Sequence, residues 1–222
     1  MAQNKVLGAI LAAGLGLAAP AAHASLITIA LQETGVNFGA ITAVATDGGT
    51  GSASFAGSYG TFTTNNVNST GAPILPQGSL GTNTLNISSS TAGVLKVWAT
   101  EQGLTSPFGS GQFLSGLTSN SVPTGWTVEM ITRIDSANSL YSGTILTDAT
   151  FTAGGFISST MNSPDLSGGP YSVTEEFIIT STGGGSTQNT ISLSYVPEPA
   201  SILVIGLGLA GLGLARRRRR AK

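Results

Sequence analysis

The sequence predicts an all-β body, folded as an antiparallel β-sandwich and flanked by two terminal segments. The 222-residue chain contains 31 glycines, and its many Ser and Thr residues favour strands and turns over helices. Short segments alternate apolar and polar residues with a period of two, and Gly-rich turns separate them. No segment of the body has a convincing amphipathic helical period. Several short strands spaced this way are typical of a sandwich.

Residues 1–24 have the three parts of a secretory signal peptide. Lys5 supplies the positive charge, Val6–Ala19 is an apolar run, and Ala22 and Ala24 form an A-x-A cleavage site. We therefore expect export through the secretion translocon and cleavage by signal peptidase after Ala24. The only histidine of the sequence lies in this segment and would be removed with it.

Residues 25–196 form the predicted exported domain, called the body below. Seven of the nine Lys and Arg residues and one of the ten acids lie outside it, so the body has a net charge of −7. An acidic body has no basic face for phosphates, which argues against nucleic-acid binding. The sequence contains no cysteine, so neither disulfides nor thiolate chemistry is available.

The strand predictions follow the alternation along the body. The predicted strands are Leu26–Glu33, Val36–Ala45, Ser54–Thr63, Thr82–Ser88, Gly93–Gln102, Gln112–Thr118, Trp126–Asp135, one or two within Leu140–Thr152, Tyr171–Thr182 and Asn189–Val196. Asn65–Gln77 is polar and contains two prolines, which predicts a loop. Gly183–Ser186 predicts a flexible hairpin loop joining the last two strands.

No catalytic residue is predicted in the body. Without His or Cys, a Ser-His-Asp or Cys-His arrangement is excluded, and Lys96 is expected to face solvent. Glu175 and Glu176 are adjacent in a strand and point to opposite faces. We expect such strand acids to face solvent, since a glycosidase needs two carboxyls across a cleft. The chain is therefore predicted not to be an enzyme.

Cofactor and metal sites are not predicted either. Asp47 and Asp165 lie beside glycines, where a turn explains them better than a calcium site. The Gly-rich segments lack the lysine of a phosphate loop. Five large rings could in principle stack on sugars: Trp98, Trp126, Tyr59, Tyr141 and Tyr171. Aromatic residues are only 6% of the chain, so core packing is the expected role of Trp98 and Trp126.

Residues 197–222 combine three dissimilar elements without a spacer. Pro197, Glu198 and Pro199 cannot continue a strand, because proline fixes φ and lacks an amide donor. Residues 201–215 are uncharged and predict a membrane helix, although its length of roughly 22 Å is short of the ~30 Å hydrocarbon core. The basic cluster consists of Arg216, Arg217, Arg218, Arg219 and Arg220. By the positive-inside rule, this cluster stops transfer of the chain across the membrane. The tail 216–222, which contains the cluster, then stays in the cytoplasm.

This segment resembles the PEP-CTERM sorting signal of Gram-negative bacteria. The resemblance rests on the tripeptide Pro197–Pro199, the short apolar segment and the arginine cluster, and it implies recognition and processing by the membrane enzyme exosortase. The tripeptide would be the substrate of that enzyme, not catalytic machinery. A plain C-terminal membrane anchor is the alternative interpretation of the same residues.

The resemblance implies a non-catalytic protein of the cell surface or extracellular matrix, associated with exopolysaccharide or biofilm. We expect an inner-membrane intermediate with its body in the periplasm, then display on the surface or release. The alternative is a carbohydrate-binding or calcium-dependent adhesive module. A row of exposed aromatic rings, or acids converging at one loop end, would favour that alternative. Two buried carboxyls in a cleft would favour a secreted hydrolase.

Overall fold

The computed structural model describes residues 25–197, except the side chains of residues 83–85. The strands of this part are β1 (Leu26–Glu33), β2 (Thr42–Thr46), β3 (Ser52–Tyr59), β4 (Phe62–Thr70), β5 (Ser79–Ser89), β6 (Ala92–Leu104), β7 (Gln112–Ser121), β8 (Thr127–Asp135), β9 (Thr144–Phe151), β10 (Gly155–Asn162), β11 (Tyr171–Thr182) and β12 (Gly185–Val196). A short 3-10 turn, Asn37–Gly39, precedes β2. No helix in the described range has the length and hydropathy to cross a membrane. The predicted signal peptide (1–24) and membrane helix (201–215) lie outside that range.

The strands form two six-stranded sheets, and every pairing is antiparallel. One sheet, sheet A, has the order β2-β1-β6-β11-β8-β9, and the other, sheet B, has the order β10-β7-β12-β5-β4-β3. A shared apolar core takes side chains from both sheets, such as Val97 and Phe177 from sheet A and Ile87 and Phe113 from sheet B. The predicted all-β antiparallel architecture is therefore confirmed, with a sandwich-like arrangement.

Two strands were not predicted from the sequence pattern. The predicted loop Asn65–Gln77 is wrong over its first six residues, because β4 continues to Thr70. Polar Thr64 and Ser69 occupy interior positions of β4. The apolar residues of this strand therefore show only a weak alternation with polar ones. β10 lies at the edge of sheet B and is mostly exposed, which leaves it without an apolar face.

The predicted hairpin at Gly183–Ser186 is also wrong. β11 pairs with β6 and β8 in sheet A, whereas β12 pairs with β5 and β7 in sheet B. Residues 183–184 therefore cross from one sheet to the other. Alternation along two strands predicts which side chains face inward, but it does not specify which strands pair.

The antiparallel registers place the loops at two opposite ends of the sandwich. The exit end contains the loops 71–78, 105–111 and 163–170 together with Ser25 and Pro197. The far end contains the loops 34–41, 60–61, 122–126 and 183–184. Both limits of the described chain are thus at the exit end.

Candidate functional site at the exit end

The last strand leads directly into the predicted sorting tripeptide. Val196 still pairs with Gln112 in the ladder between β12 and β7, and the next residue, Pro197, is exposed. No residue separates the folded body from the tripeptide. The other predicted sites, namely Ala22, Ala24, Glu198, Pro199 and the cluster Arg216–Arg220, lie outside the described residues.

The loops of the exit end are tied to each other by hydrogen bonds. The amide of Tyr195 donates to the carbonyl of Gly78 (3.0 Å). Oε1 of Gln77 accepts hydrogen bonds from the amides of Thr105 (3.1 Å) and Ser106 (2.9 Å). These bonds connect β12 to the loop 71–78, and that loop to the loop 105–111. The surface around Pro197 is therefore a preformed structure.

A groove of about 570 Å³ opens on this surface. Its apolar walls come from Leu75, Pro76, Tyr195 and Pro197, and Ser194 lies among the residues that line it. The ring of Tyr195 packs edge-on against Phe113, with ring centroids 5.7 Å apart. This exit groove thus includes the first residue of the predicted tripeptide in its own wall.

Two glutamates lie side by side in the interior near the same end. Glu101 on β6 is opposite Val173, and Glu175 on β11 is opposite Ala99. The two are therefore diagonal neighbours on one face of sheet A, and both are fully buried. The prediction that Glu175 faces solvent is wrong. Glu176 points to the other face, as predicted, and pairs with Arg133 at 2.8 Å.

The alternation of the strands already contained the signal for these buried acids. Val173, Phe177 and Ile179 share the interior face of β11, and Glu175 occupies the position between the first two. Leu95, Val97 and Ala99 likewise place Glu101 on the interior face of β6. An acidic side chain is usually expected to face solvent. At these two positions the period-two alternation of the strand decides instead, and it places the side chains in the interior.

Each buried glutamate has one bonded oxygen and one without a partner. Oε1 of Glu101 accepts the amide of Ala72 (2.7 Å), and Oε2 of Glu175 accepts the hydroxyl of Thr82. The other carboxyl oxygens, Oε2 of Glu101 and Oε1 of Glu175, have no hydrogen-bond partner among the described residues. Burial raises the pKa of Glu101 to about 7 and raises the pKa of Glu175 well above its ordinary value. Both environments therefore favour the neutral acid.

The backbone closes the space around Glu101. A Cβ added to Gly71 would lie 2.4 Å from Oε2 of Glu101, so the main chain packs directly on the carboxyl group. A hydrolase needs its two carboxyls across a cleft that admits a substrate. These two carboxyls are both fully buried inside the sandwich.

Asp47 stabilises its own turn. Its Oδ1 accepts the amide of Ile27 (2.8 Å), and its Oδ2 accepts the amide of Gly51 (2.8 Å). Both carboxyl oxygens are thus engaged by backbone amides, one within the turn and one on β1. Within residues 25–197, no group of three or more Asp, Glu, His or Cys side chains is placed to hold a metal ion.

The five large rings do not form an exposed row within the described residues. Trp126, Tyr59 and Tyr171 belong to the core. Trp98 is buried too, but on the outer face of sheet A, where it lies 5.8 Å from the half-buried ring of Tyr141. The predicted core packing is therefore confirmed for Trp126 and wrong for Trp98, which a surface loop covers on the outer face of sheet A.

Comparisons with solved structures return matches of low similarity. The TmCBM61 module in complex with β-1,4-galactotriose is 10% identical with a TM-score of 0.36, covering 66% of this chain and 90% of that one. The C-terminal CBM6 of LamC from Zobellia galactanivorans is 15% identical with a TM-score of 0.28, covering 64% and 98%. The K1 cleaved adhesin domain of Lys-gingipain from Porphyromonas gingivalis W83 is 15% identical with a TM-score of 0.32, covering 65% and 95%. TM-scores this low support no conclusion on function.

The sequence comparisons locate the recognisable part of the chain at its tail. No curated protein sequence matches the chain. A family model does match residues 196–220. The matched range begins at the last residue of β12 and includes the tripeptide and the arginine cluster that the sequence analysis singled out. This chain carries a PEP-CTERM protein-sorting motif.

Proposed function

We propose that this chain is an exported, non-catalytic protein of the cell surface or extracellular matrix, which exosortase sorts through Pro197–Pro199. The observation that carries the proposal is the PEP-CTERM motif at residues 196–220, placed directly after a folded antiparallel β body. The motif is a recognised exosortase substrate signal. It implies export and a membrane-anchored intermediate before the body reaches the surface.

The proposed route uses the two terminal segments in turn. Signal peptidase removes residues 1–24 after translocation. Ser25 would then be the first residue of the mature chain, and its hydroxyl donates to the carbonyl of Ala72 (2.7 Å) at the exit end. The cluster Arg216–Arg220 then holds the tail on the cytoplasmic side, and exosortase separates the body from the membrane segment.

The body fits a role in a hydrated polymer matrix. Its net charge of −7 and its Ser- and Thr-rich strands keep it soluble beside acidic or neutral polysaccharide. We infer association with exopolysaccharide or biofilm. Direct sugar binding or calcium-dependent adhesion by the body is the alternative, and the released body can be tested against matrix polysaccharide with and without calcium.

The decisive experiment measures the intact mass of the protein recovered from the host's surface and medium, with and without exosortase. We expect a mass lacking residues 1–24 and the residues after the tripeptide, found only when the enzyme is present. The double variant Pro197→Ala with Pro199→Ala should remain unprocessed. A mature protein that keeps Arg216–Arg220 in the presence of the enzyme would refute the proposal and favour a plain membrane anchor.

A further inference from the structure

The position of the motif limits how a processing enzyme can reach it. Val196 is hydrogen-bonded in sheet B, and the tripeptide begins at the next residue. An extended chain advances at most about 3.6 Å per residue, so Pro199 lies within about 11 Å of the end of β12. An enzyme that reads Pro197–Pro199 on the folded protein therefore has to contact the exit end.

The exit end offers an apolar surface at the point of contact. The exit groove has Leu75 and Tyr195 in its walls beside Pro197. Two large apolar side chains on neighbouring loops are exposed, Ile74 at 59% and Phe108 at 73%. Ile74 adjoins the groove residue Leu75, and Phe108 lies on another loop of the same end. An apolar concave site with exposed apolar groups at the same end of the domain favours a surface for a partner.

Charge favours a protein partner over the lipid surface. Peripheral attachment to anionic lipid relies on clustered Lys and Arg. The body contains only Lys96 and Arg133. The guanidinium of Arg133 is paired with Glu176 (2.8 Å), and both basic residues lie on strands of sheet A, away from the groove on sheet B. Nothing in the described exit end attracts an anionic membrane.

We propose that the exit groove is a docking site for the sorting peptidase itself, which inserts an apolar projection between Leu75 and Tyr195 while it reads the tripeptide. This inference rests on the proposed function. The folded body is then part of the substrate: the enzyme recognises the end of sheet B together with the sequence that follows it. Docking raises the local concentration of the tripeptide at the enzyme.

The test measures the rate at which full-length chains are processed in exosortase-containing membranes, followed by intact mass. Leu75→Asp places a charge in the groove wall, and Ser194→Trp fills the groove without removing a core side chain. Phe38→Asp, at the fully exposed Phe38 of the far end, is the matched control. A fourth chain carries eight Gly/Ser residues inserted between Val196 and Pro197, with and without Leu75→Asp; such a linker spans roughly 15 Å.

We expect Leu75→Asp and Ser194→Trp to slow processing about tenfold or more, as loss of an apolar anchor does at other interfaces, and Phe38→Asp to leave it unchanged. The inserted linker should abolish the effect of Leu75→Asp, since the tripeptide then reaches the enzyme without the groove. A parental rate for both groove variants would overturn the docking proposal alone. Equal slowing with and without the linker would also overturn it, because misfolding explains that result. If the parental chain is not processed, both proposals fail.

Discussion

The two halves of the sandwich interior differ in the hydrogen bonds that they donate to buried glutamates. At the far end, the carboxylate of Glu33 accepts the amide of Thr61 (3.0 Å) and the hydroxyl of the same residue (2.6 Å). In the exit half, Glu101 and Glu175 each accept hydrogen bonds at one oxygen only and leave the other without a described partner. Burial alone is similar, since all three are at most 5% exposed. The number of donors therefore determines how a buried acid is accommodated.

The difference gives the two halves different sources of stability. Both halves bury large apolar side chains, among them Trp126 in the far half and Tyr171 in the exit half. The exit half includes two acids whose environment favours the protonated state. Both halves should therefore respond to lost volume, and the exit half should respond to pH as well. The predictions below test this comparison.

The largest effect is expected at the far end from Trp126→Ala. Trp126 is 2% exposed, and its Nε1 donates to the carbonyl of Gly183 (3.2 Å). Truncation leaves a cavity and should lower the free energy of unfolding by about 3–5 kcal/mol, measured by urea denaturation. Trp98→Ala is the matched control, and it should cost less because a surface loop can close over the site. Equal losses would contradict this account.

The next effect concerns the pH dependence of the exit half. The pKa of Glu101 is raised from 4.5 to about 7 in the folded protein, so the folded state holds its proton more tightly than the unfolded chain. The associated stability is fully present below pH 4.5 and is lost as pH rises to about 7. The loss is about 3 kcal/mol over this window. It is measured as urea unfolding at each pH.

Glu101→Gln isolates that contribution. The amide keeps an oxygen for the N–H of Ala72 and carries no proton that titrates in this range. Between pH 4.5 and about 7, the free energy of unfolding of the variant should fall much less than that of the parent. Above that window the variant should be the more stable of the two. Glu175→Gln should flatten the profile further at higher pH, since the pKa of Glu175 is also raised. An unchanged slope in both variants would show that neither acid is neutral when folded.

The same substitution at Glu33 should have the opposite sign. Glu33→Gln replaces the carboxylate that accepts the amide and the hydroxyl of Thr61 with a neutral amide, which weakens hydrogen bonds made to a charged acceptor. We expect destabilisation of about 1–3 kcal/mol at pH 7, where Glu101→Gln is stabilising. Urea unfolding of both variants at one pH makes the comparison direct. If Glu33→Gln left the free energy of unfolding unchanged, the hydrogen bonds from Thr61 would not be what stabilises Glu33 in the interior.

Strand faces were predictable from the sequence, and strand partners were not. Tyr171–Thr182 was predicted with the bounds of β11, because Tyr171, Val173, Phe177 and Ile179 share one face that only Glu175 interrupts. β4 was missed because polar Thr64 and Ser69 occupy interior positions. The cross-sheet connection at residues 183–184 depends on the packing of both sheets, which no local pattern contains.

The candidate site also has one part that the local sequence predicts and another that depends on strand pairing. The tripeptide Pro197–Pro199 is a local sequence feature and could be recognised directly. The exit groove could not, because it brings Leu75 beside Tyr195 from positions 120 residues apart. The proximity of Glu101 and Glu175 likewise depends on the pairing of β6 with β11. Residues that meet only through strand pairing lie beyond a reading of the sequence alone.

The smallest effect is expected from Phe38→Asn at the far end. Phe38 is fully exposed and has a φ of 57°, a conformation that asparagine adopts more readily than other non-glycine residues. No packing is lost, so stability should rise by a few tenths of a kcal/mol, within the ±0.5 kcal/mol usual for surface changes. Ile74→Asn at the exit end, also on the surface, should be equally mild for unfolding but should slow exosortase processing. Equal processing of the two variants would show that the two ends do not differ as the docking proposal requires.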